Sequence, residues 1–156
     1  MNKPDVTAFF DEATHTVSYV VADPSGKSCA VIDPVLGYDL VSGRTSAGPA
    51  DDLINFIVSN DLQVEWILET HVHADHLSSA PILKERLGGK VGIGFKIIDV
   101  QNIFAPVFGE GADFHRDGSQ FDKLFGDNEN FTIGRLEATA IHNFGLWNSF
   151  NFNVIE

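Results

Sequence analysis

Apolar and polar positions change places in short runs along the first part of the chain. Residues 8–10, 16–21 and 29–32 are rich in β-branched and aromatic side chains and predict three short strands. Asp23-Pro24-Ser25-Gly26-Lys27 carries turn chemistry and joins the last two. After Asp33-Pro34 the period disappears, and Gly37, Ser42, Gly43, Ser46, Gly48 and Pro49 predict a surface loop. Helical spacing then begins. Leu53, Ile54, Ile57 and Val58 fall on one face, with Asp51 and Asp52 at the end where the helix dipole favours acids. Residues 64–68 form a nearly continuous apolar run, as expected of a strand covered on both faces. A second helix is predicted over residues 80–87, opened by the serines 78 and 79 with Pro81 and stopped at Gly88-Gly89. Residues 90–94 read as a strand, 97–104 as a helix in preference to a strand, 109–120 as a polar loop, and 131–134 and 136–141 as two further strands. From Asn143 onward asparagine and phenylalanine dominate and the earlier period is lost. The chain therefore divides into a domain over 1–142 and an atypical tail over 143–156.

Composition adds limits to this pattern. With 156 residues and 44% apolar content, there is room for one domain with a proper core. A formal net charge of -12 argues against nucleic acid or an anionic membrane as partner, since both would repel the chain. A small-molecule substrate fits better. The lone Cys29 cannot form an internal disulfide, which predicts a reducing compartment such as the cytoplasm. No run reaches the roughly 20 apolar residues of a membrane span, and the first residues lack a signal-peptide pattern. Two phosphate-binding readings fail on spacing. Gly26-Lys27-Ser28 would need a glycine where Val21 stands, and the glycines at 88, 89, 92 and 94 lack the dinucleotide-binding interval. Asn130-Phe131-Thr132 matches a glycosylation acceptor, but no secretory signal accompanies it.

The chemistry concentrates directly after the apolar run 64–68. His71, His73, Asp75 and His76 place three imidazoles and a carboxylate within six residues, a donor set suited to zinc or ferrous iron. In an extended segment His71 and His73 would point to one side and converge on one ion. The competing reading, polar loop residues satisfied by nearby backbone, does not account for four such groups at this spacing. His15 and His115 lie in polar surroundings and read as solvated, and His142 as a structural histidine. Asp33 reads first as a turn-former and second as a wall of the metal pocket.

His71-Val72-His73-Ala74-Asp75-His76 on a strand-to-helix loop resembles the signature of the metallo-β-lactamase superfamily. The segments Ile32-Asp33-Pro34-Val35, Trp66 through Ser78, and Asp117-Gly118-Ser119-Gln120-Phe121-Asp122 resemble its persulfide dioxygenase branch. Members of that branch oxidise glutathione persulfide to sulfite with molecular oxygen and one ferrous iron. The sister branch of glyoxalase II type hydrolases cleaves glutathione thioesters at a two-metal centre, with zinc as an alternative metal. The resemblance implies an α+β fold, an αββα sandwich of two sheets with helices outside. It also implies His71 as a direct ligand, and His73, Asp75 and His76 lining the pocket or holding two metals, with Asp75 the catalytic candidate. The substrate implied is a small glutathione-derived molecule. Family members continue after the position of His142 with Thr-Pro-Gly-His-Thr, whose histidine is the next ligand. Here Asn143-Phe144-Gly145-Leu146-Trp147 follows, with leucine at that position. The expectation is therefore the first half of the family fold and a little more, truncated after His142, with impaired activity. An uncovered sheet face would then favour homo-oligomers. A non-catalytic metal-binding half-domain is the third reading.

Overall fold

The computed structural model describes residues 3–111 and 113–143, and residues 149–155 as backbone. Among the described residues, twelve strands and three helices follow one another. Strands β1 (Asp5–Asp11), β2 (Thr16–Ala22) and β3 (Ser28–Ile32) form an antiparallel meander. Strand β6 (Gln63–Leu68) lies parallel to β3, β8 (Lys90–Gly94) parallel to β6, and β9 (Lys123–Phe125) parallel to β8. The result is a mixed six-stranded sheet in the order β1-β2-β3-β6-β8-β9.

Each face of this sheet carries its own buried cluster, and alternation along the strands sorts residues between them. Helices α1 (Gly48–Ser59) and α2 (Ala80–Leu87) cover one face, where Leu53, Ile57 and Leu83 meet Val20, Val31 and Ile67. On the other, Ala30, Leu68 and Phe125 meet Ile133, Leu136 and Ala140 of strands β10 (Glu129–Ile133) and β11 (Leu136–Asn143). Ile67 and Leu68 are both fully buried yet belong to opposite clusters, so the apolar run 64–68 is covered on both faces as its composition requires. Helix α3 (Ile97–Val107) follows β8.

Three departures from the sequence reading have physical causes. The segment after Pro34, expected to be loop, contains a hairpin of β4 (Val35–Asp39) and β5 (Arg44–Ser46), whose β4 also pairs with β7 (Leu77–Ser78). A Cβ at Gly37 would collide with Ser46 Oγ and stand 3.0 Å from the Ser46 carbonyl oxygen, so this glycine marks close strand packing instead of a break. The serine cap expected for α2 comes from Ser78 and not from Ser79. Ser79 occupies the N-cap without a side-chain bond, and Ser78 Oγ accepts the Ala80 N–H at 3.0 Å. The segment read as a patternless tail contains strand β12 (Ser149–Ile155), which pairs antiparallel with β11 from Asn143↔Ser149 to Glu137↔Ile155. Leu146, singled out for standing where a ligand was expected, lies outside the described residues. Among the described residues, no helix is long and apolar enough to cross a membrane.

Candidate metal centre

The site forms where β3 and β6, neighbours in the sheet, both end. Asp33 follows β3 directly and adopts φ 48°, a left-handed conformation that aspartate tolerates better than most residues. Its backbone is anchored from two sides. The N–H donates to Leu68 O at 2.9 Å, and the carbonyl accepts Ser18 Oγ at 2.8 Å. The carboxylate thus reaches across to the loop after β6, where it accepts Thr70 N–H and Thr70 Oγ1, each at 2.7 Å. Asp33 is therefore part of the site's frame, and its ranking as a turn-former first is corrected.

Glu69 is a group that the sequence pattern does not single out. Its N–H donates to Gly92 O at 2.9 Å and its side chain is buried. Oε1 accepts the Ser78 hydroxyl, and Oε2 lies 2.9 Å from His73 Nε2. The same nitrogen lies 3.0 Å from Asp33 Oδ1. His73 is thus gripped at Nε2 by two carboxylates, which fixes its ring and turns Nδ1 the other way. A metal-ligating histidine commonly donates its second N–H to a carboxylate, and this arrangement supplies two.

The remaining groups gather around His73. The His71 and His73 ring centres are 4.3 Å apart, and those of His73 and His76 4.1 Å. His71 Nδ1 lies 2.8 Å from Thr70 Oγ1. The half-exposed Asp75 places Oδ1 3.4 Å from His76 Nδ1 and 3.9 Å from His73 Nδ1. Convergence of the histidines was expected from an extended segment. Strand β6 in fact ends at Leu68 and a bent loop delivers them. Two sets of candidate ligands have their donor atoms within 4.8 Å of one another: Asp33, His71 and His73, and His73, Asp75 and His76.

Whether these residues suit a metal can be judged from what is left unbonded. His73 Nδ1 and both ring nitrogens of His76 are buried without a hydrogen-bond partner. Buried polar atoms left unpaired are costly, and His73 Nδ1 together with one nitrogen of the neighbouring His76 ring can be met by a shared partner. A divalent cation bound by imidazole nitrogen and carboxylate oxygen meets that need, and the donor set fits it.

Electrostatics separates the histidines. Burial alone would lower the pKa of His73, but its bonds to Asp33 and Glu69 and their charges raise it to about 9. The His76 pKa is lowered by burial first and by the charge of His73 second. For Asp33, burial opposes ionisation, yet His73 and Thr70 together hold its pKa below the usual carboxylate value. Glu69 is shifted upward, burial being the largest cause. His142 lies near the end of β11, where its N–H donates to Asp127 Oδ1 at 2.8 Å.

A cavity of about 650 Å³ opens beside His71, His73 and His76 and runs under α3, with Val91, Ile93, Ile97 and Phe104 among its walls.

Comparison with known proteins identifies a family. Residues 12–146 match the family model described as the metallo-beta-lactamase superfamily. A protein of Burkholderia pseudomallei named probable metallo-hydrolase is 48% identical over 140 residues, covering 90% of this chain and 48% of its own. Glyoxylase B2 of Dictyostelium discoideum is 45% identical over 143 residues, again 90% of this chain and 48% of the relative. The chain therefore spans about half the length of these curated relatives. Among solved structures, ETHE1 from Myxococcus xanthus superposes with a TM-score of 0.69 at 19% identity, covering 96% of this chain and 53% of that one, a likeness of fold. With a family match over most of its length and relatives near half identity, this chain belongs to the metallo-beta-lactamase superfamily.

Proposed function

We propose that this chain carries the ligand-bearing loop of a metal-dependent enzyme acting on a small sulfur-linked substrate, with persulfide dioxygenation as the first reading. The observation that carries it is the convergence of His71, His73 and His76 with Asp75, backed at His73 by Asp33 and Glu69. His71 would ligate the metal directly. His73 would do so through Nδ1, because Nε2 is held by the carboxylates. A bound ferrous ion would supply open positions for a persulfide sulfur and for molecular oxygen. The protein's own part is to hold the imidazoles in register, keep His76 neutral through burial and exclude water on the cavity side. Glutathione is the thiol carrier implied by the resemblance of the loop and its flanking segments, and a reducing compartment suits both the substrate and the free Cys29.

One observation favours a second reading. Candidate ligands lie on both sides of His73, with Asp33 and His71 in one set and Asp75 and His76 in the other, a spread that suits two adjacent ions with His73 ligating only one of them, and hence a thioester hydrolase of the glyoxalase II type. Metal content separates the two: about one iron per chain supports the dioxygenase, and two zinc ions or mixed metals the hydrolase.

The same proposal includes weak metal retention and low turnover by this chain alone, because the ligand that the family places after the position of His142 is replaced by leucine in this sequence. Self-association would accompany it if a sheet face is left open. The test is anaerobic reconstitution with ferrous iron, followed by metal analysis and sulfite release from glutathione persulfide. Sulfite release at the rate of an intact homologue overturns the impairment. Failure of iron and zinc alike to bind at stoichiometric levels overturns the metal site, and a metal-loaded but inactive oligomer points to a non-catalytic half-domain.

A further inference from the structure

The cavity beside the histidines differs in chemistry from the loop it adjoins. Its walls come from β8 and α3, where Val91, Ile93, Val100, Phe104 and Ala105 present carbon, and Phe121 closes it from the loop before β9. Apolar character continues to the mouth, where Val72 (43% exposed), Leu77 (48%) and Phe108 (75%) stand in solvent. Glu110 stands exposed in the lining, but the glutamines and the lysine there are engaged. Gln101 Nε2 donates to Gln120 Oε1 at 2.9 Å, while Gln101 Oε1 accepts the Gly118 N–H at 3.0 Å. Gln120 Nε2 donates to the His115 carbonyl at 2.6 Å. Lys84, a cation in the lining, is turned onto Asp122 at 2.6 and 2.8 Å.

A polar or charged ligand entering this space would give up its water and find these donors and acceptors already taken, a net cost. An aliphatic chain would lose only unfavourable hydration and gain contact with the carbon walls. At about 650 Å³ the cavity is within the range that holds ligands much larger than a methyl group. We propose that the cavity under α3 is a subsite for an aliphatic acyl or alkyl group joined to the substrate sulfur, which lies at the histidine cluster while any peptidic carrier stays outside the cavity. This rests on the metal-site reading for the position of the sulfur, but the apolar subsite stands on its own walls.

The test uses the full chain free of metal and a series of non-hydrolysable ligands: glutathione, S-methylglutathione, S-hexylglutathione and S-octylglutathione, followed by titration calorimetry. Burial of each added methylene should tighten binding by about three- to fourfold until the cavity is filled. Val100→Trp, which fills the space, should flatten the series, and Phe104→Ala, which enlarges it, should extend it to longer chains. Amide spectra of both variants show whether they fold. Equal affinity across the series, or tightest binding of glutathione itself, overturns the subsite. So does a concentration-dependent dimer in light scattering whose formation abolishes octyl binding, since a second copy then occupies the groove. Loading with iron or zinc separates this outcome from the parent reading. A chain that binds octylglutathione but takes up no metal refutes the metal centre and leaves the subsite, and a chain that binds metal but shows no length dependence does the reverse.

Discussion

Asp33 combines three roles in one side chain. It closes the end of β3 in a left-handed conformation, clamps Thr70 through two hydrogen bonds and orients His73. Asp33→Asn keeps a residue that tolerates the conformation but removes the charge. Hydrogen bonds to charged groups contribute about 1.5–3 kcal/mol, so urea unfolding should show a loss of that order with an unchanged m-value. Asp33→Ala should lose more, because alanine adds backbone strain at this φ. A midpoint unmoved by Asn would mean that the clamp is not maintained in solution. The pH response of the metal-free chain follows from His73. Its pKa is raised from 6.5 to about 9 in the folded state, so its stabilising contribution is complete below 6.5 and disappears as pH rises through about 9. Glu69, shifted upward by burial, adds a decline that begins near its ordinary 4.5. Asp33, shifted the other way, contributes stability above its ordinary 3.8 that disappears at lower pH. Thermal midpoints measured with a chelator present should therefore fall between pH 6.5 and 9, and His73→Gln should remove that slope and also weaken the Asp33 contribution at low pH, since His73 is one of the groups that holds the Asp33 pKa down.

The helix-to-sheet contacts hold these residues in place at the level of elements. Leu83 is fully buried beneath α2, which follows the histidine loop directly, and packs in the cluster containing Leu53, Ile57 and Ile67. Leu83→Ala should cost about 2–5 kcal/mol of stability. Because α2 begins four residues after His76 at Ala80, metal affinity should fall alongside. Equilibrium denaturation paired with zinc titration checks both, and a destabilised variant with wild-type zinc affinity would show that the loop does not depend on the helix. The elements most legible in sequence were those with the strongest period. The helix 80–87 and the strand 90–94 were located to the residue, and β6 within one residue of each end. Strands β4, β5, β7 and β9 were missed because each has five residues or fewer and lies among glycines or polar residues, where pairing with neighbours, not intrinsic preference, decides the conformation. The site divides in the same manner. His71, His73, Asp75 and His76 are consecutive enough for spacing to reveal them, whereas Asp33 lies 40 positions from His73 and meets it only because β3 and β6 are parallel neighbours. Glu69 was in view but lacked a signal, since one glutamate at a strand end is ordinary until the ring beside it is seen.

For the molecule as a whole, the three layers and the charge pull in different directions. Helices, central sheet and covering sheet enclose two cores, whose apolar burial favours the compact state. Against them stands a formal net charge of -12, from 22 acidic and 10 basic residues, which weakens any compact state through self-repulsion. The exposed ion pairs Lys84–Asp122, Arg86–Asp51 and Lys27–Asp61 offset little of this, because pairs of that kind contribute about 0–1 kcal/mol each. Salt acts on both terms with opposite sign. Raising ionic strength shortens the screening length from about 30 Å at 0.01 M to about 10 Å at 0.1 M, which removes long-range repulsion before it removes contacts at 3 Å. Repulsion among the excess acids should therefore dominate. Between about 0.01 and 0.3 M sodium chloride the metal-free chain should gain on the order of 1 kcal/mol, seen as about 2–4 °C in thermal midpoint. A midpoint that falls over the same range would mean that the ion pairs, and not the uncompensated acids, govern its electrostatics. The same field concentrates divalent cations near the surface, so zinc uptake at the histidine loop should slow as sodium chloride is added, even while the fold becomes more stable. Stopped-flow mixing at the two salt levels reads that rate directly, and a salt-independent rate would show that cations reach His71 and His73 without guidance from the acidic surface.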